Sequence, residues 1–141
     1  MMINRPQVGL SVIIKKGSKV LIGKRKNIVG HGNWGFPGGH LEFGEELEEG
    51  VRREVFEETD LQIKNIEFQK VTSDIRKDIR NNHYITLFFT ADYKSGKVVN
   101  KESHKCEGWK WVEWSFLLKS KKDLFLPMQN LLKQNFSPFK S

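Results

Sequence analysis

Three glutamates on one predicted helix are spaced to hold a cation: Glu54, Glu57 and Glu58. Residues three and four apart are neighbours on a helix surface, so the three carboxylates can converge on one spot. Carboxylates this close repel one another, and a half-buried carboxylate is costly unless it is paired or bound to a metal. Oxygen ligands suit Mg²⁺ or Mn²⁺. The spacing therefore predicts a divalent-metal site with these three ligands.

The helix that carries the glutamates is expected over residues 45–59, with Gly44 at its N-cap position. At about 100° per residue, one apolar arc of this helix should face the interior. That arc consists of Leu47, Val51 and Val55. Glu54 and Glu58 fall within the same arc. An exposed acidic helix with surface ion pairs would be the alternative, but carboxylates on the apolar side favour the metal site.

A glycine turn at Gly38 and Gly39 comes before the helix. Glycine adopts conformations closed to other residues and lets the chain pass close to a ligand. Arg53 directly precedes Glu54, and its guanidinium is suited to a bidentate contact that holds a carboxylate in place. The turn and the helix together predict one site.

From Gly39 to Leu61 the chain matches a long motif with fixed spacings. The matching residues are Gly39, Glu45, Arg53, Glu54, Val55, Glu57, Glu58 and Leu61. They resemble the Nudix box, G-x5-E-x7-R-E-U-x-E-E-x-G-U with U aliphatic, at eight of its nine defined positions. The exception is Asp60, where the family usually has a glycine in a left-handed turn. Aspartate tolerates that conformation better than most residues.

The resemblance implies the Nudix fold, an α/β/α sandwich with a mixed β-sheet, in a single domain over residues 1–141. Flanking segments are similar to the nucleoside-triphosphate diphosphatase branch, MutT-like enzymes that act on thiopurine and oxidised guanine nucleotides. These segments are residues 23–26, 37–45, 83–84, 105–107, 109–114 and 138–140. For such an enzyme, water attacks a phosphorus within a pyrophosphate linkage while Mg²⁺, or Mn²⁺ in its place, neutralises developing charge. A nucleoside triphosphate would give the monophosphate and pyrophosphate, which fits a role in nucleotide-pool sanitation.

The same resemblance assigns roles to individual residues. Glu54, Glu57, Glu58 and the Gly39 carbonyl would bind the metal, with Arg53 orienting the carboxylates. The general base would be a box glutamate or a glutamate from a distant loop, for which Glu107 is the candidate. The residues expected to bind substrate are Arg25, Phe36, Gly38, His40, Phe125 and Met128. Arg25 lies in a basic segment and should contact phosphate.

Alternating apolar residues predict the remaining elements. Strands are expected at residues 8–14, 19–23, 61–72, 83–93 and 108–112, with an irregularity near Asn65. Residues 83–93 form the most β-prone run, which should be central in the sheet. A polar hairpin is expected at 74–82, a hydrophilic loop at 95–106, and short helices at 113–118 and 123–134.

Charge is distributed unevenly along this chain of net charge +7. Nine of the 17 acidic residues, but only two of the 24 Lys and Arg residues, lie between Glu42 and Asp60. An acidic patch in a basic surround would attract a polyphosphate and still hold a metal. The same balance fits a catalytically idle nucleic-acid-binding domain. Because the box keeps every metal-binding carboxylate, a nucleotide substrate is favoured over nucleic acid.

Other substrates within the family remain alternatives, namely dinucleotides and nucleotide sugars. ADP-ribose hydrolases tend to carry a proline shortly after the box, whereas no proline occurs between Pro37 and Pro127. Diadenosine-polyphosphate hydrolases tend to carry a tyrosine there, and the first tyrosine after the box is Tyr84. Both absences favour a nucleoside triphosphate.

A cytoplasmic location without membrane attachment is expected. No apolar run approaches the roughly 18 residues of a membrane span, and no signal-peptide pattern is visible. Cys106 is the single cysteine, which excludes an internal disulfide. Phe56 projects away from the apolar arc, so it is expected to pack under another segment or in a homodimer contact, as related diphosphatases are dimers.

Overall fold

The computed structural model describes residues 4–139, which contain seven strands and three α-helices. The strands are β1 (Gln7–Lys16), β2 (Lys19–Arg25), β3 (Trp34–Gly35), β4 (Gly38–His40), β5 (Gln62–Arg76), β6 (Asn82–Ser95) and β7 (Cys106–Glu113). The helices are α1 (Leu47–Thr59), α2 (Trp114–Lys119) and α3 (Leu126–Leu132), with a 3₁₀ turn at Lys121–Asp123. No helix among residues 4–139 is long and apolar enough to cross a membrane.

The strands form one mixed sheet in the order β3-β2-β1-β6-β5, with β4 added to β1 and β7 added to β2. Strands β1 and β6 are parallel, and the other pairs are antiparallel. Strand β6 lies between β1 and β5, so the prediction of a central strand over residues 83–93 is confirmed. The mixed sheet confirms the predicted α/β class.

Both faces of the sheet are buried, which explains why β1 is apolar along most of its length. Val12 and Ile14 pack on one face with Val51 and Val55 of α1. Ile13 points to the opposite face, where it packs with residues of α2 and α3. The sheet therefore lies between α1 on one side and the two short helices on the other, as the sandwich prediction requires.

The predicted start of α1 was wrong. Gly44 does not cap the helix but occupies a left-handed turn with φ of 80°. The N-cap is Glu46, whose main-chain N–H donates to Glu49 Oε1 at 3.0 Å in a capping box. Glu45 is outside the helix, and its carboxylate binds Arg53. The helix consequently begins at Leu47, two residues later than expected.

Two further details of α1 bear on the sequence analysis. Val51 and Val55 are fully buried as predicted, but Leu47 at the first helical position is 38% exposed and does not extend the apolar arc. At the other end, Asp60 adopts the left-handed conformation with φ of 66°, and its N–H donates to the Phe56 carbonyl. Aspartate thus replaces the glycine of the box in the conformation that the box requires.

Strand β5 runs farther than the sequence indicated. The predicted hairpin at 74–82 was partly wrong, since the strand continues to Arg76 and the turn occupies only the residues after it. Polar residues obscured this extension, and one of them, Asp74, is buried. The irregularity near Asn65 is confirmed by its φ of 54° and by a register shift between Lys64 and Glu67.

The C-terminal helix is shorter than predicted. It was expected over residues 123–134, but α3 covers only Leu126–Leu132. Pro127 lies in its first turn, where the missing N–H costs no helical hydrogen bond. The preceding residues form the 3₁₀ turn instead, so proline sets where the helix begins.

Candidate active site

Arg53 binds several groups of the acidic cluster at once. Its Nε and Nη2 donate to the two carboxylate oxygens of Glu45 at 2.6 and 2.9 Å. Nη1 donates to Glu54 at 2.8 Å and to Glu57 at 3.3 Å, and Nη2 also donates to the His40 carbonyl at 3.0 Å. The bidentate contact expected of Arg53 is thus made with Glu45. It raises the pKa of Arg53 and lowers the pKa of Glu45 to about 2.

Glu54 and Glu58 are held in a poorly solvated part of the site. Burial raises the pKa of Glu54, which is only 9% exposed, and the contact with Arg53 opposes that shift. Burial raises the pKa of Glu58 to about 8, although its Oε1 accepts the Gly38 N–H at 3.2 Å. Charged Glu54 and Glu102 nearby disfavour the ionised form of Glu58 further. A cation bound between these carboxylates would offset the cost of their charge.

The two glycines of β4 fit where no side chain could. Gly38 and Gly39 lie opposite Ser11 and Leu10 of β1. A Cβ atom on Gly38 would overlap the carbonyl oxygen of Leu10, and one on Gly39 would overlap the Glu54 carboxylate. The predicted turn at these two glycines was wrong, because both lie in the extended strand β4. Their lack of a side chain instead brings the main chain of Gly39 against Glu54.

The donor chemistry of this cluster fits a hard divalent cation. Glu54, Glu57, Glu58 and the main chain of Gly39 offer only oxygen ligands, the type preferred by Mg²⁺ and Mn²⁺. Within residues 4–139, no three carboxylate, imidazole or thiol side chains are already arranged as a metal-binding set. Arg53 occupies oxygens of Glu54 and Glu57 instead. The cluster thus fits a divalent cation by its oxygen donor atoms and by the burial of the Glu54 carboxylate.

A loop at residues 96–105 completes the wall of the acidic cleft. Its main-chain N–H groups at Val99 and Lys101 donate to carbonyl groups of Thr59 and Glu58, at 2.9 and 3.3 Å. These bonds hold the loop against the C-terminal end of α1. The next residue, Glu102, is half-buried and lines the cleft together with the box glutamates. Sequence reasoning missed Glu102, since nothing in the sequence of the loop shows that this carboxylate faces the box glutamates rather than solvent.

Glu107, the loop candidate of the sequence analysis, lies elsewhere. It belongs to β7, where successive side chains point to opposite faces. Its neighbour Cys106 is buried and lines the cleft, so Glu107 is exposed on the other face. Of the residues that the structure describes, Glu102 rather than Glu107 provides the loop carboxylate at the cleft.

An apolar pocket adjoins the acidic cleft. Its lining includes all six residues expected to bind substrate, namely Arg25, Phe36, Gly38, His40, Phe125 and Met128. Phe36 and Met128 are almost fully buried, which makes them walls of the pocket. Arg25, Phe36, Gly38 and His40 line the acidic cleft as well. The two cavities are therefore adjacent and share one side.

Arg25 lies where the pocket meets the cleft. Its guanidinium stacks over the Phe125 ring at 3.7 Å from the centroid, and its Nε donates to the Val29 carbonyl at 2.7 Å. Burial lowers the pKa of Arg25 to about 10, with Glu58 opposing the shift. The side chain therefore stays cationic at neutral pH and is held in place by contacts that do not use all of its N–H groups.

Asp74 is a second residue that sequence reasoning missed. It lines the apolar pocket, is 2% exposed, and lies on the part of β5 that was predicted to be a polar turn. Successive side chains of β5 point to opposite faces of the sheet, and the pairing of β5 with β6 places the Asp74 side chain on the inner face. The polar residues around it, Ser73 and Arg76, do not indicate from sequence that Asp74 is buried.

The comparison with known families agrees with this arrangement. A family model described as "NUDIX domain" matches residues 4–133. The chain therefore belongs to the Nudix hydrolase superfamily. Nudix hydrolases act on pyrophosphate bonds and use divalent metals.

Individual relatives differ in the substrate that their names give. Over 93 residues, the chain is 40% identical to an ADP-ribose pyrophosphatase of Methanocaldococcus jannaschii, covering 66% of this chain and 54% of that protein. It is 27% identical to an RNA pyrophosphohydrolase of Pasteurella multocida, covering 78% of this chain and 62% of the relative. The chain thus spans little more than half of the length of these curated relatives.

A solved structure described as a MutT NUDIX hydrolase from Burkholderia pseudomallei superposes with a TM-score of 0.72 at 27% identity. The superposition covers 85% of this chain and 87% of that one. The shared fold is thus the Nudix fold.

Proposed function

We propose that this chain hydrolyses the pyrophosphate linkage of a nucleoside triphosphate, releasing a nucleoside monophosphate and pyrophosphate. The observation that carries this proposal is the junction of an apolar pocket and an acidic cleft, with Arg25 lining both. A nucleotide has the same two parts, a flat heterocycle and a chain of phosphates. Aromatic and methionine side chains suit the heterocycle.

In this arrangement each part of the substrate has its own contacts. The base enters the pocket between Phe36, Phe125 and Met128, and the phosphates extend past Arg25 towards the box glutamates. Arg25 contacts phosphate through guanidinium N–H groups that Val29 leaves free. Glu54, Glu57, Glu58 and the Gly39 carbonyl would hold a divalent cation, Mg²⁺ or Mn²⁺, which would stabilise the charge that develops on the phosphate oxygens.

Glu102 is the carboxylate that we assign as general base. It would accept a proton from the attacking water as the water oxygen bonds to phosphorus and the bond to the bridging oxygen breaks. Support for this assignment comes from its place on the cleft wall beside Glu54 and Glu58. Arg53 would orient the carboxylates and neutralise part of their mutual repulsion.

ADP-ribose is the second candidate substrate, favoured by the relative from Methanocaldococcus jannaschii. It too has a purine and a diphosphate, so the pocket and cleft could accept it. Nucleoside triphosphates are preferred because the family's ADP-ribose hydrolases tend to carry a proline after the box that this chain lacks.

A substrate panel with Mg²⁺ or Mn²⁺ tests the proposal. It would contain the common nucleoside and deoxynucleoside triphosphates, ADP-ribose, a dinucleoside polyphosphate and a 5′-triphosphorylated RNA. We expect the highest kcat/KM with a nucleoside triphosphate. A higher value for ADP-ribose or RNA would replace the proposed substrate, and the absence of hydrolysis alongside salt-dependent RNA binding would favour an idle binding domain.

A further inference from the structure

Asp74 is a buried carboxylate whose contacts inside the protein are all with neutral donors. Its Oδ2 accepts hydrogen bonds from the hydroxyl groups of Thr86 at 2.5 Å and Thr72 at 3.1 Å. Its Oδ1 accepts a hydrogen bond from the Asn130 side-chain amide at 2.9 Å. These bonds come from β5, β6 and α3, so three elements fix the position of one carboxylate.

Among the residues that the structure describes, no cation forms an ion pair with this buried carboxylate. The two arginines that line the same pocket are engaged elsewhere, since Arg76 pairs with Asp78 at 3.0 Å and Arg25 stacks on Phe125. Burying a carboxylate with no cationic partner is destabilising. A structural role alone could be filled by a neutral side chain of similar shape.

Asp74 lines the pocket and retains capacity to accept a hydrogen bond. A carboxylate can accept about four hydrogen bonds, and three positions are used by protein donors. The group lines the cavity in which the proposed function places the base. An acceptor at this position attracts an N–H donor and repels a carbonyl oxygen, because the latter leaves two acceptors facing each other without a proton.

We propose that Asp74 is a specificity residue that accepts a hydrogen bond from the exocyclic amino group of the bound nucleobase. The pocket would then favour adenine, guanine or cytosine nucleotides over the matching oxo or unsubstituted bases. This inference rests on the proposed function only in taking the pocket as the base site. A site built around such a polar contact can discriminate strongly against an analogue that lacks it.

The test uses substrate pairs that differ mainly at the amino position: GTP with ITP, ATP with ITP, and CTP with UTP. For the wild type we expect kcat/KM to favour the amino member of at least one pair by about tenfold or more. Asp74→Asn presents an amide N–H to the pocket and should reduce that preference by about tenfold. Hydrolysis of the disfavoured member measures whether the variant is folded.

Two further variants serve as a control and as a substitute if Asp74→Asn does not fold. Asp92→Asn is the matched control, since Asp92 is a β6 carboxylate outside the pocket that contacts Lys15 and Asn65, and the preference should not change. If Asp74→Asn fails to fold, the double variant Asp74→Asn/Asn130→Asp retains an amide-carboxylate pair and should lose the preference in the same way.

Each outcome decides the matter. A wild type without preference in any pair, or a preference that survives in the Asp74 variants, overturns the inference while leaving the hydrolase proposal intact. If the wild type hydrolyses none of these compounds, calorimetric binding of the guanosine, inosine, adenosine, cytidine and uridine monophosphates gives the same comparison. An Asp74-dependent preference in binding would support the inference and remove the proposed function, whereas no binding would remove both.

Discussion

The ionised form of Glu58 is disfavoured in its buried position unless a cation binds next to it. Burial raises its pKa to about 8, and the one hydrogen bond from the Gly38 N–H does not offset that effect. Glu54 is in a similar position but is partly neutralised by Arg53. A structural acidic cluster would be expected to pair each carboxylate with a cation, whereas among the described residues Arg53 alone pairs with Glu42, Glu45, Glu54 and Glu57.

At the same scale, Glu58→Gln should lower kcat by about 100-fold or more, because the amide keeps the shape of the side chain and removes its charge from the metal site. The control is Glu48→Gln on the same helix, where the exposed carboxylate contacts Arg52. Steady-state kinetics at saturating Mg²⁺ measures both. Near-normal turnover of Glu58→Gln would contradict the metal assignment.

Glu102 of the loop and Glu107 of β7 provide a direct comparison. Glu102→Gln should reduce kcat by about 100-fold, in the range that removal of a general base produces, while Glu107→Gln should remain within about twofold of wild type. The reverse order of effects would return the role to Glu107.

Arg25 should affect binding more than chemistry. Arg25→Ala removes a cation from the phosphate path, so KM should rise, and more at low salt than at high salt because ions screen the lost attraction. We expect kcat to stay within about tenfold. In Arg25→Lys the KM should lie between those of wild type and Arg25→Ala, since lysine keeps the charge but lacks the planar guanidinium and its stacking on Phe125. A collapse of kcat at unchanged KM would place Arg25 at the transition state.

At the scale of elements, the site depends on how the ends of α1 are held. The first turn is fixed by the capping box of Glu46 and Glu49, while Glu45 remains free to bind Arg53. The last turn receives the loop at residues 96–105, and Lys101 Nζ donates to the Phe56 carbonyl at 3.2 Å. Lys101 also lies over the exposed Phe56 ring, so a segment covers part of that side chain. The homodimer version of the Phe56 expectation stays a prediction.

The contact between Glu45 and Arg53 should make stability depend on pH. The folded-state pKa of Glu45 is lowered to about 2, so its contribution is present above the ordinary value of 4.5 and is lost as pH falls towards 2. Glu45→Gln should therefore lower the melting temperature at pH 7, and the difference from wild type should shrink between about pH 5 and pH 2. Glu67→Gln, an exposed change on β5, is the control. A difference that does not vary with pH would contradict this view of the contact.

At the scale of the whole molecule, the parts that could be predicted from sequence were those fixed by local spacing. The helix that carries the box glutamates and the central strand β6 both follow from residues close together in the chain, whereas the turn predicted at Gly38 and Gly39 is a strand that only its pairing with β1 reveals. Leu47 was predicted to face the interior but is partly exposed, because helical periodicity does not show where the core ends. Glu102 could not be separated from Glu107, since only the bonds from the loop to α1 decide which carboxylate reaches the cleft.

The burial of Asp74 on β5 likewise could not be predicted from local sequence spacing. Its burial depends on pairing with β6 and on Asn130 of α3, 56 residues away in sequence. The uneven charge of the chain, by contrast, was visible at once. An acidic cleft within a protein of net charge +7 combines a metal site with a field that attracts polyphosphates.

The central claim is that the bond broken is the one that separates a nucleoside monophosphate from pyrophosphate. Phosphorus NMR of the reaction with the preferred nucleoside triphosphate and Mg²⁺ identifies the products directly. The account predicts one equivalent each of nucleoside monophosphate and pyrophosphate, formed only with a divalent metal and about 100-fold more slowly in Glu58→Gln. Nucleoside diphosphate with inorganic phosphate, or turnover that persists after chelation of the metal, would contradict it.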